Sequence, residues 1–220
     1  MRETPTVSDL APLHIDRRQV LRNLGYPRSR QPSARVAEAL DRLWEPALAL
    51  LAPRGVHRMV REAVAQATGM PRPTEWVGLG ACTAGPELER REQQLGQQGQ
   101  MLEALILDAI GSTAAEAAAD AVNVMLCAEA RREGYHLPPR ISPGYGRWPI
   151  ERQPDLLGLL AADAIGIHLT PGLMMVPRKS VSFGVRLTRQ PQPRVRRRCA
   201  GCTLEGCAFR DQPPEGHEEP

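Results

Sequence analysis

Three groups of residues in this 220-residue chain have the types and spacing for chemistry. The first is RISPGYGRWPI, residues 140–150. Pro139 and Pro143 fix backbone angles and remove N–H donors. Gly144 and Gly146 carry no side chain and permit unusual dihedrals. Together they make a stiff, bare length of backbone that a flat ligand can approach. Arg140 adds a planar guanidinium fork suited to a carboxylate or phosphate, and Tyr145 adds a ring face and a hydroxyl. These parts suit a zwitterionic or anionic ligand with a planar portion. Composition leaves a second reading open, a proline-stiffened loop whose arginine makes a buried ion pair.

The second group is Asp108, Ser112, Glu116 and Asp120, which follow one another at i, i+4 and so form one polar stripe on a helix. The stripe is either a solvated amphipathic face or the place where Glu116 points at a ligand. The third group is Cys199, Cys202 and Cys207, spaced C-x2-C-x4-C in RVRRRCAGCTLEGCAFR. Cys199 and Cys202 have the separation to grip one metal together, as in zinc knuckles. Cys82, Cys127, His217 or a second molecule would supply the fourth zinc ligand. Alternatively the three thiolates hold an iron–sulfur cluster with one open iron, or act as free redox thiols. Arg194, Arg196, Arg197 and Arg198 favour the thiolate form. Cys82 and Cys127 stand alone and read as core residues. His14, His57, His136 and His168 show no metal spacing, and no nucleophile or general base stands out.

The elements that must position these residues can be read from periodicity. Residues 1–12 read as a disordered lead-in. A short strand near Leu13–Ile15 leads to a helix capped by Asp16 and ending at Gly25. A second helix begins at about Ala34 with Ser33 as N-cap, and Pro46 should kink or interrupt it. GVHRMVREAVAQATG fits either strand or helix. Val77 to Cys82 reads as a strand turning into a helix, with Thr83 or Gly85 at the corner. Residues 101–134 form the longest helical signal; Gly111 either splits it or permits a close approach, and Leu102, Leu105, Ile106, Ala109 and Ile110 make an apolar face. DLLGLLAADA is a short helix. IGIHLT and KSVSFGVRLT alternate as strands, joined by the apolar PGLMMVP. The fold class expected is α+β, a single domain with a central, mostly antiparallel, twisted sheet flanked by helices and followed by an irregular Cys-rich tail. The divisions are 1–12, 13–190 and an Arg/Cys-rich tail at 191–220.

Bulk properties narrow the partners. The net charge of +3 does not demand a polyanion. Aromatic residues make up 4% of the chain, so aliphatic residues and alanine must fill the core. No stretch approaches the roughly 20 apolar residues of a membrane span, and the N-terminus lacks a secretory h-region. The expected location is the cytoplasm.

The order of the blocks carries a resemblance. Arg140-x-Ser142-Pro143-Gly144-Tyr145 is followed by IGIHLT and then MMVPRKSVS. This succession resembles the activation domain of cobalamin-dependent methionine synthase, with its R-x-[SA]-P-G-Y, I-G-x-x-L-T and M-x-P-x-x-S-V-S. LDAIGSTAAEAAAD upstream is similar to the long helix that precedes them there. The resemblance covers about Asp16 to Thr188 and is strongest from Leu107 to Ser182. It implies an S-adenosylmethionine-binding reactivation protein that supports reductive methylation of cob(II)alamin on a partner, with cobalamin held by that partner. The partner would be methionine synthase or a related corrinoid protein, and the electron would come from a flavodoxin-like or ferredoxin-like donor. Without a cobalamin module, the chain looks like a free-standing form acting in trans.

By matching position, the resemblance implies that Arg140, Ser142, Gly144 and Tyr145 form the ligand shelf. Arg140 would take the methionine carboxylate and Tyr145 would lie near the sulfonium. Glu116 matches an acidic pocket residue of the long helix, Asp16 an acid near the family's N-terminus, and Glu133 is a looser match. The chain departs from the family where an aromatic shortly follows S-V-S; Val185 and Arg186 stand there instead. The competing reading is a zinc or iron–sulfur module whose PRVRRRCAGC contacts nucleic acid. The acidic EGHEEP end and the scarcity of stacking aromatics argue against it. A third reading is a structural subunit of a methyltransferase complex without ligand binding.

Overall fold

Every residue of β3 (Trp76–Thr83) is buried, which makes WVGLGACT the central strand of the sheet. The computed structural model describes residues 3–27 and 30–190. Four strands pair antiparallel in the order β1 (Thr6–Asp9), β2 (Arg54–Arg61), β3 and β6 (Ser180–Arg186). The segment after the long helix runs along the outer edge of β6, bridging it at Ile141↔Gly184 and reaching the following residues at His136↔Thr188. A two-stranded hairpin, β4 (His168–Leu169) with β5 (Met175–Val176), forms a separate sheet.

Helices cover both faces of the sheet. The C-terminal half of α5 (Met101–Arg132) lies on one face, where Ala118, Ala119, Val122 and Leu126 pack with Met59, Phe183 and Val185. The contact is close because β3 presents glycines: a Cβ at Gly80 would stand 2.9 Å from Val122 Cγ1. The opposite face, with Val56, Leu79 and Ala81, receives α6 (Gln153–Leu160), a 3-10 turn (Ala162–Ile165) and Trp148. The other half of α5 projects into a helical core with α1 (Arg17–Asn23), α2 (Ala34–Ala49) and α4 (Glu87–Gln97). Among the described residues, no helix is long and apolar enough to cross a membrane.

The α+β class and the antiparallel sheet agree with expectation, as do Asp16 as an N-cap and a helix starting at Ala34. Thr83 and Gly85 share the strand–helix corner, the Gly85 N–H donating to Thr83 Oγ1 at 3.1 Å. Several expectations are corrected. The lead-in expected to be disordered contains β1, which pairs with β2 through Thr6↔His57 to Asp9↔Arg54, and no strand forms at Leu13–Ile15. The ambiguous segment divides into β2 and α3 (Glu62–Ala67). Helix α2 continues through Pro46, which sits in its last turn and gives up the N–H that would donate to the Arg42 carbonyl, so the loss is confined to the helix end. Leu105 is 56% exposed rather than part of the apolar face. The alternating signal of IGIHLT yields only two strand residues, and PGLMMVP holds their partner β5.

Candidate functional site

The polar stripe of α5 is the spine of the candidate site. Ala114, Ala115, Ala118 and Ala119 are buried, so the helix packs through small residues and turns Asp108, Ser112, Glu116 and Asp120 toward the β6 side. Two cations from distant parts of the chain meet this stripe. Lys179 Nζ donates to Asp108 Oδ1 at 2.5 Å and to Ser112 Oγ at 3.0 Å. Its aliphatic stem crosses α5 over Gly111, where a Cβ would stand 3.0 Å from Lys179 Cγ and 2.8 Å from Leu88 Cδ2. Gly111 therefore permits close approach and does not split the helix.

One turn further along, Arg140 grips the next two rungs. Its Nη2 donates to Glu116 Oε2 at 2.7 Å and its Nη1 to Asp120 Oδ1 at 2.5 Å. Its guanidinium carbon lies 5.6 Å from the centroid of the buried Phe183 ring. Burial works against the Arg140 charge, but hydrogen bonds and charge from Asp120 and Glu116 outweigh it and raise the pKa. The stripe is thus not a purely solvated face. Of the two readings of Arg140, the ion-pair arrangement is the one this structure contains.

The loop after Arg140 has the bare geometry read from its composition. Ile141 exchanges two backbone hydrogen bonds with Gly184, at 2.9 and 2.8 Å. The chain then turns: the Tyr145 N–H donates to the Ser142 carbonyl at 3.2 Å, and the Gly144 N–H to the Trp148 carbonyl at 2.8 Å. Gly144 has φ +87°, in the region that favours glycine. Tyr145 is 76% exposed, its ring standing away from the core. Trp148, 1% exposed, forms the floor of the loop. Its indole N–H donates to the Thr68 carbonyl at 2.7 Å, and a Cβ on Gly184 would come within 3.0 Å of its ring.

Arg140 and Glu116 are therefore in contact, and Ser142, Gly144 and Tyr145 follow directly on the same loop. Asp16 stands apart. Its carboxylate accepts the Arg18 N–H at 2.9 Å as the N-cap of α1. No hydrogen bond or ion pair among the described residues joins it to Arg140 or Glu116. Glu133 caps the far end of α5, where its carbonyl accepts from Arg189. Asp120 belongs to the stripe without a ligand role of its own, and Lys179 carries no such signal in the sequence. The signal was a run of three acids on one helix face, which needs cations from elsewhere in the chain to meet it.

Cys199, Cys202, Cys207 and His217 lie outside the described residues. Among the described residues, no group of three His, Cys, Asp or Glu side chains is arranged to hold a metal ion. Cys82 is ill-suited as a fourth ligand. Burial pushes its thiol up to about 12, and its S–H donates to the Ala115 carbonyl at 3.7 Å. Cys127 is half-buried on α5.

A cleft of about 510 Å³ opens between the start of α4 and the β4–β5 hairpin, lined by Thr83, Gly85, His168 and Pro177 among others. A second hollow of about 420 Å³ adjoins His57 and Glu129. Neither is lined by Arg140, Ser142, Tyr145, Glu116 or Asp16.

No protein-family profile matches the chain, and no curated protein matches it. Its architecture does have a solved counterpart. The crystal structure of the MetH reactivation domain bound to AdoHcy aligns with it at a TM-score of 0.66 and 17% identity, over 87% of this chain and 81% of that one. The chain has the fold of that reactivation domain.

Proposed function

We propose that this chain binds S-adenosylmethionine on the Arg140–Tyr145 loop and presents it to a partner corrinoid protein, supporting reductive methylation of cob(II)alamin. One observation carries the reading. An arginine and a glutamate meet at 2.7 Å beside a bare loop with an exposed tyrosine, in a fold shared with a domain solved with AdoHcy. An α-amino acid carries the same two charges in one ligand, a carboxylate for Arg140 and an ammonium for Glu116. Backbone at Ser142 and Gly144 meets the flat part of the ligand, and the Tyr145 ring faces the sulfonium. Asp16 caps α1 through Oδ1, which leaves Oδ2 as the acceptor it would offer a ligand.

The methyl group and its reactivity belong to the sulfonium and to the partner's cobalt. This chain supplies orientation and local charge. It is an accessory component of a methyltransferase system, acting in the cytoplasm with methionine synthase or a related corrinoid protein and a flavodoxin-like or ferredoxin-like electron donor. Calorimetry of the full chain with S-adenosylmethionine, alone and with a corrinoid partner, tests the reading. Binding that falls at least roughly tenfold in Arg140→Ala is expected. No binding under either condition overturns it.

The cysteine cluster suits zinc or an iron–sulfur cluster by spacing alone. Stoichiometric zinc, or absorbance at about 400 nm in anaerobically prepared protein, would support a metal role for Cys199, Cys202 and Cys207. Salt-dependent DNA binding would favour the competing module reading.

A further inference from the structure

The two carboxylates that hold Arg140 are not equivalent. The Cys82 S–H reaches the Ala115 carbonyl, while the space above Gly78 is filled by Leu126, so α5 runs opposite to β3. On β6, Val181 pairs with Cys82 and Val185 with Gly78. Glu116 therefore lies toward the Val181 end of the sheet and Asp120 toward the Val185 end. The backbone at Ile141 is antiparallel to β6 at Gly184, so the chain leaving Arg140 heads toward Val181. Lys179, next to Ser180 on the same side, holds Ser112. Along the strand axis, the loop of Ser142, Gly144 and Tyr145 thus lies toward the Glu116 end of the stripe, with its Trp148 on the sheet face opposite α5, and Asp120 meets the guanidinium from the other end.

We infer that Asp120 is a positioning residue: it keeps one arm of Arg140 in place while the other arm leaves Glu116 for the ligand's carboxylate and Glu116 takes the ligand's ammonium. The inference rests on the S-adenosylmethionine reading above. A guanidinium has donors for both duties at once, because its fork presents two edges. The 2.5 Å contact with Asp120 and the cation–π contact with Phe183 hold the guanidinium in place, so only one of the two ion pairs must exchange. The consequence is selectivity. The site recognises the α-carboxylate through Arg140 and Asp120, and the α-ammonium through Glu116, as separable contributions.

The test is calorimetry of the full chain and its variants with three probes. S-adenosylmethionine carries both groups, decarboxylated S-adenosylmethionine keeps the ammonium alone, and 5′-methylthioadenosine has neither. Asp120→Asn should weaken S-adenosylmethionine roughly tenfold and leave the other two unchanged within about twofold. Asp120→Glu, which keeps the charge, should recover part of the loss. Glu116→Gln should weaken both ammonium-bearing probes and spare 5′-methylthioadenosine. A purely structural role for Asp120 predicts an equal loss for all three probes. A merely competing role predicts tighter S-adenosylmethionine in Asp120→Asn. Either result, or an unchanged affinity, overturns the inference while leaving the binding reading intact. A wild-type chain that binds none of the probes overturns both.

Discussion

Lys179 and Arg140 meet the same helix face in the same way, each bridging two polar side chains one turn apart, yet their surroundings differ. The Lys179 side chain is 10% exposed, its stem lies across Gly111, and β6 begins at the next residue. Its ammonium is held by strand, helix and ion pair together. The Arg140 side chain is 20% exposed, and it opens a loop of glycine, proline and exposed tyrosine. One cation is built into the packing between α5 and β6; the other stands at the margin of a surface where a ligand can compete for its partners. The same electrostatic contact is structural or exchangeable according to how much backbone and apolar contact fixes the cation beside it.

The largest expected effect probes the floor under Arg140's loop. Trp148→Ala removes a fully buried ring and its hydrogen bond to Thr68, and should cost about 3–5 kcal/mol in urea unfolding. It should also abolish ligand binding, because the turn at Gly144 loses its support. Stability retained within about 1 kcal/mol would mean that the loop is held by its own backbone alone.

The direct break of the comparison is to remove each cation in turn. Lys179→Met keeps the stem but leaves Asp108 without its ammonium, and should destabilise by about 1–2 kcal/mol while changing S-adenosylmethionine affinity by less than about threefold. Arg140→Ala should show the reverse balance, with a large loss of affinity and a smaller loss of stability, since both of its acids are substantially exposed. Equal profiles in denaturation and calorimetry would remove the distinction.

A smaller effect is expected where the Lys179 stem crosses the helix. Gly111→Ala gains helix propensity but forces Leu88 and Lys179 aside, since its Cβ would lie within 3.0 Å of both. A net cost of about 1 kcal/mol in thermal or urea unfolding is expected. A stabilised variant would show that the Lys179 side is as adaptable as the Arg140 side.

The last effect, a loss of stability that vanishes at neutral pH, concerns Cys82, beneath the stripe. Its thiol is raised by burial from 9.0 to about 12, so the folded state holds the proton more tightly than the unfolded chain. Its contribution to stability is complete below pH 9 and is lost as the pH rises from there toward 12. At neutral pH, alkylation of Cys82 should be negligible in the native protein and rapid in urea, as read by mass spectrometry. Fast native labelling would show that the α5–β3 contact opens readily.

Much of this protein is legible one residue at a time. The strand WVGLGACT, the cap at Asp16, the 32-residue α5 and the bare loop after Arg140 follow from local preferences, since burial, capping and proline–glycine stiffness act over a few residues. Strand β1 was hidden because TVSD is short, polar at three of its four positions and held by its pairing with β2. The stripe was visible as a pattern, but its meaning was not. Whether three acids on a helix face water, a ligand or a cation depends on which side chains the sheet brings across from Lys179 and Arg140, 71 and 20 residues from their first partners. Side-chain types and helical period settle which groups share a face. Only the docking of β6 and its edge segment against α5 determines which charges meet, because those contacts join residues far apart along the chain.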